Sequence, residues 1–521
     1  MASSPTALIA AAIERADAPS PAEVPGRASA SAGGDRAGAD LVRARTSGNG
    51  VRADGRTARR IAGAIGRMIT AGELDIGTRL PTVRELSRRL GVSPTTVSEA
   101  WRSLAAVGAI ETRGRNGTFV RRPTGPGAPR RYRQVTEGPG RFSLDLSSGT
   151  PDPALLPDLA PIVARVSRQS LTSSYLDQPV LPELAETIES TWPFRPEAIT
   201  VVDGALDAID RVTSEVLRLG DRVVVEHPTF PPMLDMLDRL DCEVVSVDVD
   251  QEGMVIDHLR AALRVPAGSA GTTSGAVGSP GPSPSTAAVF LQPRAHNPTG
   301  VAMTARRAEA IAAVIAAASG TGPVPLVIED DHSNDISSAP LTSIGRWLPE
   351  RTVHIRSYSK SHGPDLRLAA VGGAGDVVTA LTNRRLLGPG WSSRILQALL
   401  LELLRDTAIV DTMGRARQAY TDRRRVVGDV LAAGGVTVTG HDGINLWMGV
   451  DDERSAVVGL AARGIGVAPG GPFLVRPDDD HIRVTVGLLS GGPAQVADVA
   501  RQLAEAARTG ARRGHRAPSH R

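Results

Sequence analysis

The sequence predicts a two-part α/β protein: a small, basic, mainly helical module near the N-terminus and a larger α/β body built on a mainly parallel sheet. Three observations predict it. Residues 51–140 carry 17 Arg against seven acids, while residues 1–50 balance five against five; the rest is mildly acidic, because the whole chain totals only +3. From about 141 onward, short β-branched runs alternate with longer helical patterns: ITVVD (199–203), RVVVE (222–226), EVVSVDV (243–249), AVFLQP (288–293), PLVIED (325–330) and TVHIRS (351–356). That alternation is the signature of a parallel sheet covered by helices. Between the two parts lies RRPTGPGAPRRYRQVTEGPG (121–140), whose Pro, Gly and Arg content predicts a flexible linker.

Composition bounds the rest. A chain of 521 residues is long enough for two to four domains, and 41% apolar with 22% charged residues is ordinary for a globular protein. No run approaches the roughly 18 apolar residues of a membrane span, and the first residues lack the basic start of a secretory signal. Cys242 is the only cysteine, which excludes an intramolecular disulfide framework or a Cys-rich zinc site and favours a reducing, cytoplasmic setting. Of 59 basic residues other than His, 58 are arginine; the lone lysine is Lys360. Arginine cannot replace an amine that must lose its proton and attack a carbonyl.

Residues 1–50, rich in Ala, Ser, Gly and Pro, read as a disordered leader. In the module at 51–120, Ile61, Ile65, Met68 and Ile69 share one helical face. Thr82 and Glu85 then form a capping-box pattern, Gly91 ends that helix, and Ser93 with Pro94 opens the next. Val97, Trp101 and Leu104 fall on its buried face, and AIETRGRNGTFV closes the module as two short strands. Three helices and a hairpin make a winged helix-turn-helix, whose second motif helix enters the major groove of duplex DNA. The pieces LPTVREL, GVSPTTV and RGRNGTFV resemble the GntR-type DNA-binding domain. The resemblance puts Arg84, Ser93, Thr95, Thr96, Arg113 and Gly114 at positions that touch phosphates, bases or the minor groove. Pro94 and Ser98 stand where relatives often carry arginine. A basic protein–protein module is the alternative reading.

In the body, 141–393 reads as a large α/β domain and 394–510 as a smaller α+β domain, with a basic tail at 511–521 and a Gly/Ser/Pro loop at 266–286. RSYSKSHGPDLRL places Lys360 just after a strand, three residues beyond Ser357 and seven before Arg367. A hydroxyl and a guanidinium near an amine can hold a phosphate beside it. Gly204 and Ala205 occupy a strand-to-helix turn, a ready anion site. Phe230 follows another strand; by itself it reads equally well as a core aromatic. RAHNPTG presents Asn297, and IEDDH ends a strand with Asp330, Asp331 and His332, consecutive residues that cannot easily converge on a metal, so no metal site is expected.

The ordered set resembles the fold type I aminotransferases over residues 141–510. The resemblance implies pyridoxal 5'-phosphate (PLP) as cofactor, with Lys360 as its Schiff-base lysine and Asp330 facing the pyridine nitrogen. It places Asn297 and His332 near the ring oxygen, Phe230 on the ring face, and Gly204, Ala205, Ser357 and Arg367 on the phosphate. It also implies that Tyr175 reaches the phosphate of a neighbouring subunit in a head-to-tail homodimer, and that Arg483 receives a carboxylate. A GntR-type winged helix linked to such a domain resembles the MocR subfamily of bacterial transcription regulators, implying promoter DNA and a small effector, PLP or an amino compound, as partners. His332 departs from the tyrosine of many relatives, and Val180 and Ala185 depart from a Gly and Arg pattern; turnover is therefore expected to be slow or absent. Alternatives are a working aminotransferase with a DNA-binding appendage and a sensor of PLP itself.

Overall fold

The computed structural model describes Ile9, residues 58, 61, 62, 64–66, 68 and 69, and residues 73–106, 110–120, 129–136, 142–168, 174, 177–264, 286–318 and 324–509. The chain divides into two compact units, residues 1–128 and 129–521. No helix among the described residues is long and apolar enough to cross a membrane.

In the first unit, helix α1 (Val83–Leu90) starts where the Thr82 hydroxyl accepts the Glu85 N–H at 3.2 Å, and it stops at left-handed Gly91. Helix α2 (Pro94–Ala106) follows, then the antiparallel strands β1 (Ile110–Thr112) and β2 (Thr118–Val120). Ile61, Ile65 and Met68, all helical, close the core against Leu86, Val97, Trp101 and Leu104. Ile9 departs from the expected disordered leader: it is helical and wholly buried in this core. The rest of the leader lies outside the described residues, as do the 511–521 tail and nearly all of the 266–286 loop.

The second unit opens with helix α3 (Arg130–Thr136), inside the segment expected to be a flexible linker. The physical reason is a clamp from Asp235, about a hundred residues further along the chain. Strand β3 (Leu144–Asp145) and helices α4 (Ala160–Val166) and α5 (Pro182–Glu189) lead into the main sheet. Its members are β4 (Ala198–Val202), β5 (Arg222–His227), β6 (Glu243–Asp250), β7 (Gly253–Met254), β8 (Thr286–Leu291), β9 (Leu326–Asp331), β10 (Thr352–Ser357) and β11 (Ala369–Gly373). The order is β4-β11-β10-β9-β8-β5-β6-β7. The β10-β9-β8-β5-β6 block is parallel, while β11 and β7 pair antiparallel with their neighbours.

Helices cover both faces. Ala288 and Phe290 of β8 meet α6 (Ala205–Val216), α7 (Pro231–Arg239) and α10 (Gly375–Leu386). Val289 and Leu291 meet α8 (Ile256–Arg264) and α9 (Ala305–Ala317) on the other side, as the two-residue period of a strand requires.

Helix α11 (Arg394–Arg405) packs with α4 and α5 in a core that includes Val201 and Ala370 of the main sheet. The 27-residue helix α12 (Thr407–Ala433) carries the chain into a second core. There the antiparallel sheet β12 (Val438–Thr439), β13 (Asn445–Gly449), β16 (His481–Thr485) and β15 (Ala468–Pro469) lies against α13 (Glu453–Ala461) and α14 (Pro493–Ala507). Strand β14 (Ile465–Gly466) pairs in parallel with β3. The division between the two cores thus differs from the expected 141–393 and 394–510. Residues 144–146 belong to the second core and α11 to the first, because burial follows which sheet each apolar face meets.

Candidate cofactor pocket and nucleic-acid interface

The parallel strands β5, β8, β9 and β10 all run toward one edge of the sheet, where ligand clefts of open α/β sheets form. An open cleft enclosing about 930 Å³, solvent at its mouth included, lies at that edge. Ala205, Phe230, Asn297, Asp330, His332, Ser357, Lys360, Arg367 and Arg483 all line it, drawn together from across nearly 280 residues of chain. Tyr175 lies outside the described residues.

One end suits a phosphate. Gly204 leaves β4 at φ +105 and α6 begins at Ala205, so the positive end of the helix faces the cleft. Arg367, itself at φ 48, donates from Nη2 to the Asp203 carbonyl at 3.2 Å. A Cβ at Gly204 would stand 2.8 Å from that same Nη2. Only glycine lets the guanidinium approach the turn this closely.

The floor is acidic. Burial, reinforced by neighbouring Asp331, raises the Asp330 carboxyl to about 6. Its Oδ2 accepts from Gln292 Nε2 at 2.7 Å, while buried Oδ1 has no partner among the described residues. Asp331 leaves the strand on the other face, paired with Arg294; although burial opposes it, that pairing holds its pKa down. The two acids that look alike in the sequence therefore differ: Asp330 faces the cleft, and Asp331 is structural.

Gln292 organises this floor and was not singled out in the sequence, although a polar residue directly after an apolar strand is a usable signal. Besides holding Asp330, its Oε1 accepts the Asn297 N–H at 2.7 Å, and its own N–H donates to Glu226 at 2.8 Å. Phe230 starts α7 on one side of the cleft, with His332 also in the wall.

Lys360 donates from Nζ to the Gly149 carbonyl at 2.9 Å. Burial, aided by the Arg483 charge, lowers its pKa to about 8. Arg483 stacks its guanidinium 5.2 Å from the Phe473 ring centroid and donates to Asn297 Oδ1 at 3.2 Å and to the Ser147 carbonyl. Its Nε is buried without a hydrogen-bond partner among the described residues, and burial lowers its pKa to about 10.

His332 differs from expectation. Its Nε2 lies 2.9 Å from the Ala295 carbonyl, which can only accept, so Nε2 carries the proton and Nδ1 accepts from Ser333 at 3.2 Å. Burial pushes its pKa down to about 3, below the ordinary value near 6.5. The ring is neutral and engaged at both nitrogens within the protein.

On the winged helix, Arg84 and Thr95 are exposed, and Ser93 is half-buried at the start of α2. Thr96 corrects the sequence reading: it is 0% exposed. Its N–H donates to Ser93 Oγ at 3.1 Å, and the two hydroxyls meet at 2.8 Å. It holds the helix start together instead of facing a base edge. Arg113 is exposed on the wing, where it pairs with Glu111 and lies 5.0 Å from the Phe119 ring centroid; Gly114 follows at φ 51.

A parallel sheet carrying a lysine, a phosphate cradle and a buried acid at its strand ends, joined to a winged helix, defines a DNA-binding protein with a fold type I aminotransferase-like domain. The chain belongs to the MocR-like regulators: residues 143–500 match the aminotransferase class I and II family, and residues 57–120 match the gntR family of bacterial regulatory proteins. It is 35% identical over 444 residues to the vitamin B6 salvage pathway transcriptional repressor PtsJ of Salmonella typhimurium, covering 84% of this chain and 96% of PtsJ. It is 26% identical to the pyridoxine biosynthesis transcriptional regulator PdxR of Corynebacterium glutamicum, covering 77% of this chain and 85% of PdxR. In fold it is similar to the α-aminoadipate aminotransferase LysN of Thermus thermophilus, with a TM-score of 0.61 at 20% identity over 72% of this chain and 94% of that one.

Proposed function

We propose that this chain is a transcription regulator that takes PLP into the cleft and changes its hold on promoter DNA as the cleft fills. The observation that carries the proposal is the pairing, across one cleft, of the chain's single lysine with a buried carboxylate oxygen that has no partner among the described residues. When bound, PLP supplies an aldehyde that condenses with primary amines and a ring that withdraws electrons. Lys360 offers the amine, partly neutral at pH 7 because its pKa is lowered to about 8. The α6 N-terminus with Ser357 and Arg367 would receive the phosphate, and Asp330 Oδ1 would accept a hydrogen bond from the protonated pyridine nitrogen, keeping the ring cationic. Phe230 covers the ring. Asn297, whose Oδ1 is already taken by Arg483, has its amide N–H left to offer the ring oxygen. Arg483 is the receiver for an effector's carboxylate. The names of PtsJ and PdxR, both tied to vitamin B6, support PLP itself as an effector.

His332 supplies wall but no mobile proton near neutral pH, which fits a sensor better than a fast enzyme. Arg483 and Lys360 in the same cleft keep the second reading, a working aminotransferase, in play. Visible spectra during PLP titration test cofactor uptake, and borohydride should then fix the cofactor covalently to Lys360. Turnover of an amino donor with a 2-oxo acid at about one per second or more, ordinary for an enzyme, would favour the second reading.

A head-to-tail homodimer completes the proposal. Leu159 and Val163 by α4, Ile395 on α11 and Val410 on α12 are exposed apolar side chains, on helices where α11 packs with both α4 and α12. A second copy is their natural cover, and it would bring its Tyr175 to this phosphate site. A monomer with full PLP occupancy in solution would overturn the dimer.

A further inference from the structure

A seven-residue helix is marginal by itself in water, so α3 persists because of what holds it. Its first turn is clamped by Asp235 of α7, whose carboxylate accepts the N–H groups of Arg131 at 3.2 Å and Tyr132 at 3.1 Å. Two donors that the helix start leaves open are thereby satisfied, and a negative charge meets the positive end of the helix dipole. The Arg131 guanidinium adds an ion pair with Asp238.

On its other side the helix buries a single apolar residue. Val135, 7% exposed, packs with Trp447, Ala468 and Phe473. Helix α3 therefore rests on both halves of the cleft wall: on α7 beside Phe230, and on the Gly471–Phe473 turn and β15 beside Arg483. Tyr132 and Val135 line the cleft together with Lys360, Arg483 and Phe473. By connectivity, only residues 121–129 lie between this helix and β2, the last strand of the winged helix.

We propose that α3 is the reporter of cleft occupancy, and that it reads the arm of a phosphopyridoxyl amine that reaches toward Arg483. Such a ligand sets its carboxylate against Arg483 and its side chain against Tyr132 and Val135. Filling the cleft thus changes the seating of the segment that carries the DNA-binding unit. The coupling has physical means because α3 is held by a few contacts that a ligand can reinforce or displace, whereas the sheet beneath it is held by many. The proposal rests on the reading that the cleft takes PLP.

The test uses the full chain with two probes: PLP alone, and N-(5'-phosphopyridoxyl)-L-alanine, which carries a carboxylate arm and needs no reaction with Lys360. Hydrogen exchange of the amides at 130–136 should slow more with the second probe than with the first. The second probe should also shift affinity for promoter DNA by about fivefold or more, the low end of ordinary coupling between sites. Asp235→Ala should still take up both probes but lose the DNA response, and Arg131→Ala, which removes the ion pair with Asp238 but keeps the clamped N–H, should lower it. Tyr132→Ala should erase the preference for the second probe over PLP. Uptake of the second probe with unchanged exchange at 130–136 overturns the proposal while the cofactor reading stands. A full DNA response in Asp235→Ala overturns it as well. No uptake of either probe sinks the cofactor reading and the proposal with it.

Discussion

At the scale of single residues, the proposed PLP site turns on Asp330 and Lys360. A charge-assisted hydrogen bond contributes about 1.5–3 kcal/mol, so Asp330→Asn should weaken PLP binding by roughly tenfold or more, read from the visible absorbance of the bound cofactor. An unchanged affinity would remove Asp330 from the pyridine site. With its pKa lowered to about 8, about one Lys360 in ten carries a neutral amine at pH 7, against well under one in a thousand for an ordinary lysine. The rate of PLP capture should therefore rise with pH and level off just above 8. A rate still climbing steeply at pH 10 would mean the amine is not desolvated. His332 should show no titration between pH 5 and 8, since burial keeps it neutral throughout. Lys360 was legible in the sequence because it stands alone among 58 arginines. The division of labour between Asp330 and Asp331 was not, because which face of a strand an acid occupies depends on how the sheet is covered.

Among the elements, helix starts were the easiest to read and the linker the hardest. Thr82 and Ser93 announce α1 and α2 by local chemistry alone, and both cap as that chemistry requires. The burial of Thr96 depends on how α2 packs against α1 and the helical residues around Ile61, Ile65 and Met68, which residue spacing within one helix does not reveal. Thr96→Ala keeps the N–H that Ser93 caps but loses the hydroxyl bond to Ser93, so it should cost about 1 kcal/mol of stability in the winged helix, the scale of one hydrogen bond, and leave DNA sequence preference unchanged. A selected binding motif that differs from wild type would show that Thr96 reads bases after all. RRYRQVT has too few apolar residues to look helical, and the acid that clamps it lies about a hundred residues further along the chain.

For the whole molecule, charge separates the two parts more sharply than the total of +3 suggests. Counterion release makes affinity for duplex DNA fall with the logarithm of salt concentration. The full chain should show that slope, and Arg84→Ala should lower it by about one unit at every sequence tested. Retention that is insensitive to salt would exclude phosphate contacts as the main source of affinity. The doubly covered parallel sheet was legible as a whole because each strand declares itself by β-branched runs. The division between cores was less legible: β3 joins β14 from more than 300 residues away, and only the folded sheet brings them together.

Mechanically, the segment leading out of the second unit is moored twice in series, and the two moorings have different strengths. Beyond α3 the chain is stitched in by Leu144 to Gly464 at 3.1 Å, Leu146 to Gly466 at 2.8 Å, and Thr485 back to Leu146 at 2.9 Å, with Leu146 fully buried. The α3 mooring is a carboxylate clamp and one buried valine, beside an ion pair whose Asp238 side chain is 58% exposed. Tension arriving along the chain, as from a module gripping bent or looped DNA, will therefore unseat α3 well before it reaches the strand. The compliant mooring is also a wall of the cleft, so, if the cleft takes PLP as proposed, load on the DNA side should weaken ligand binding in a force-dependent way. The stiff mooring keeps that strain from Lys360 and the sheet that positions it.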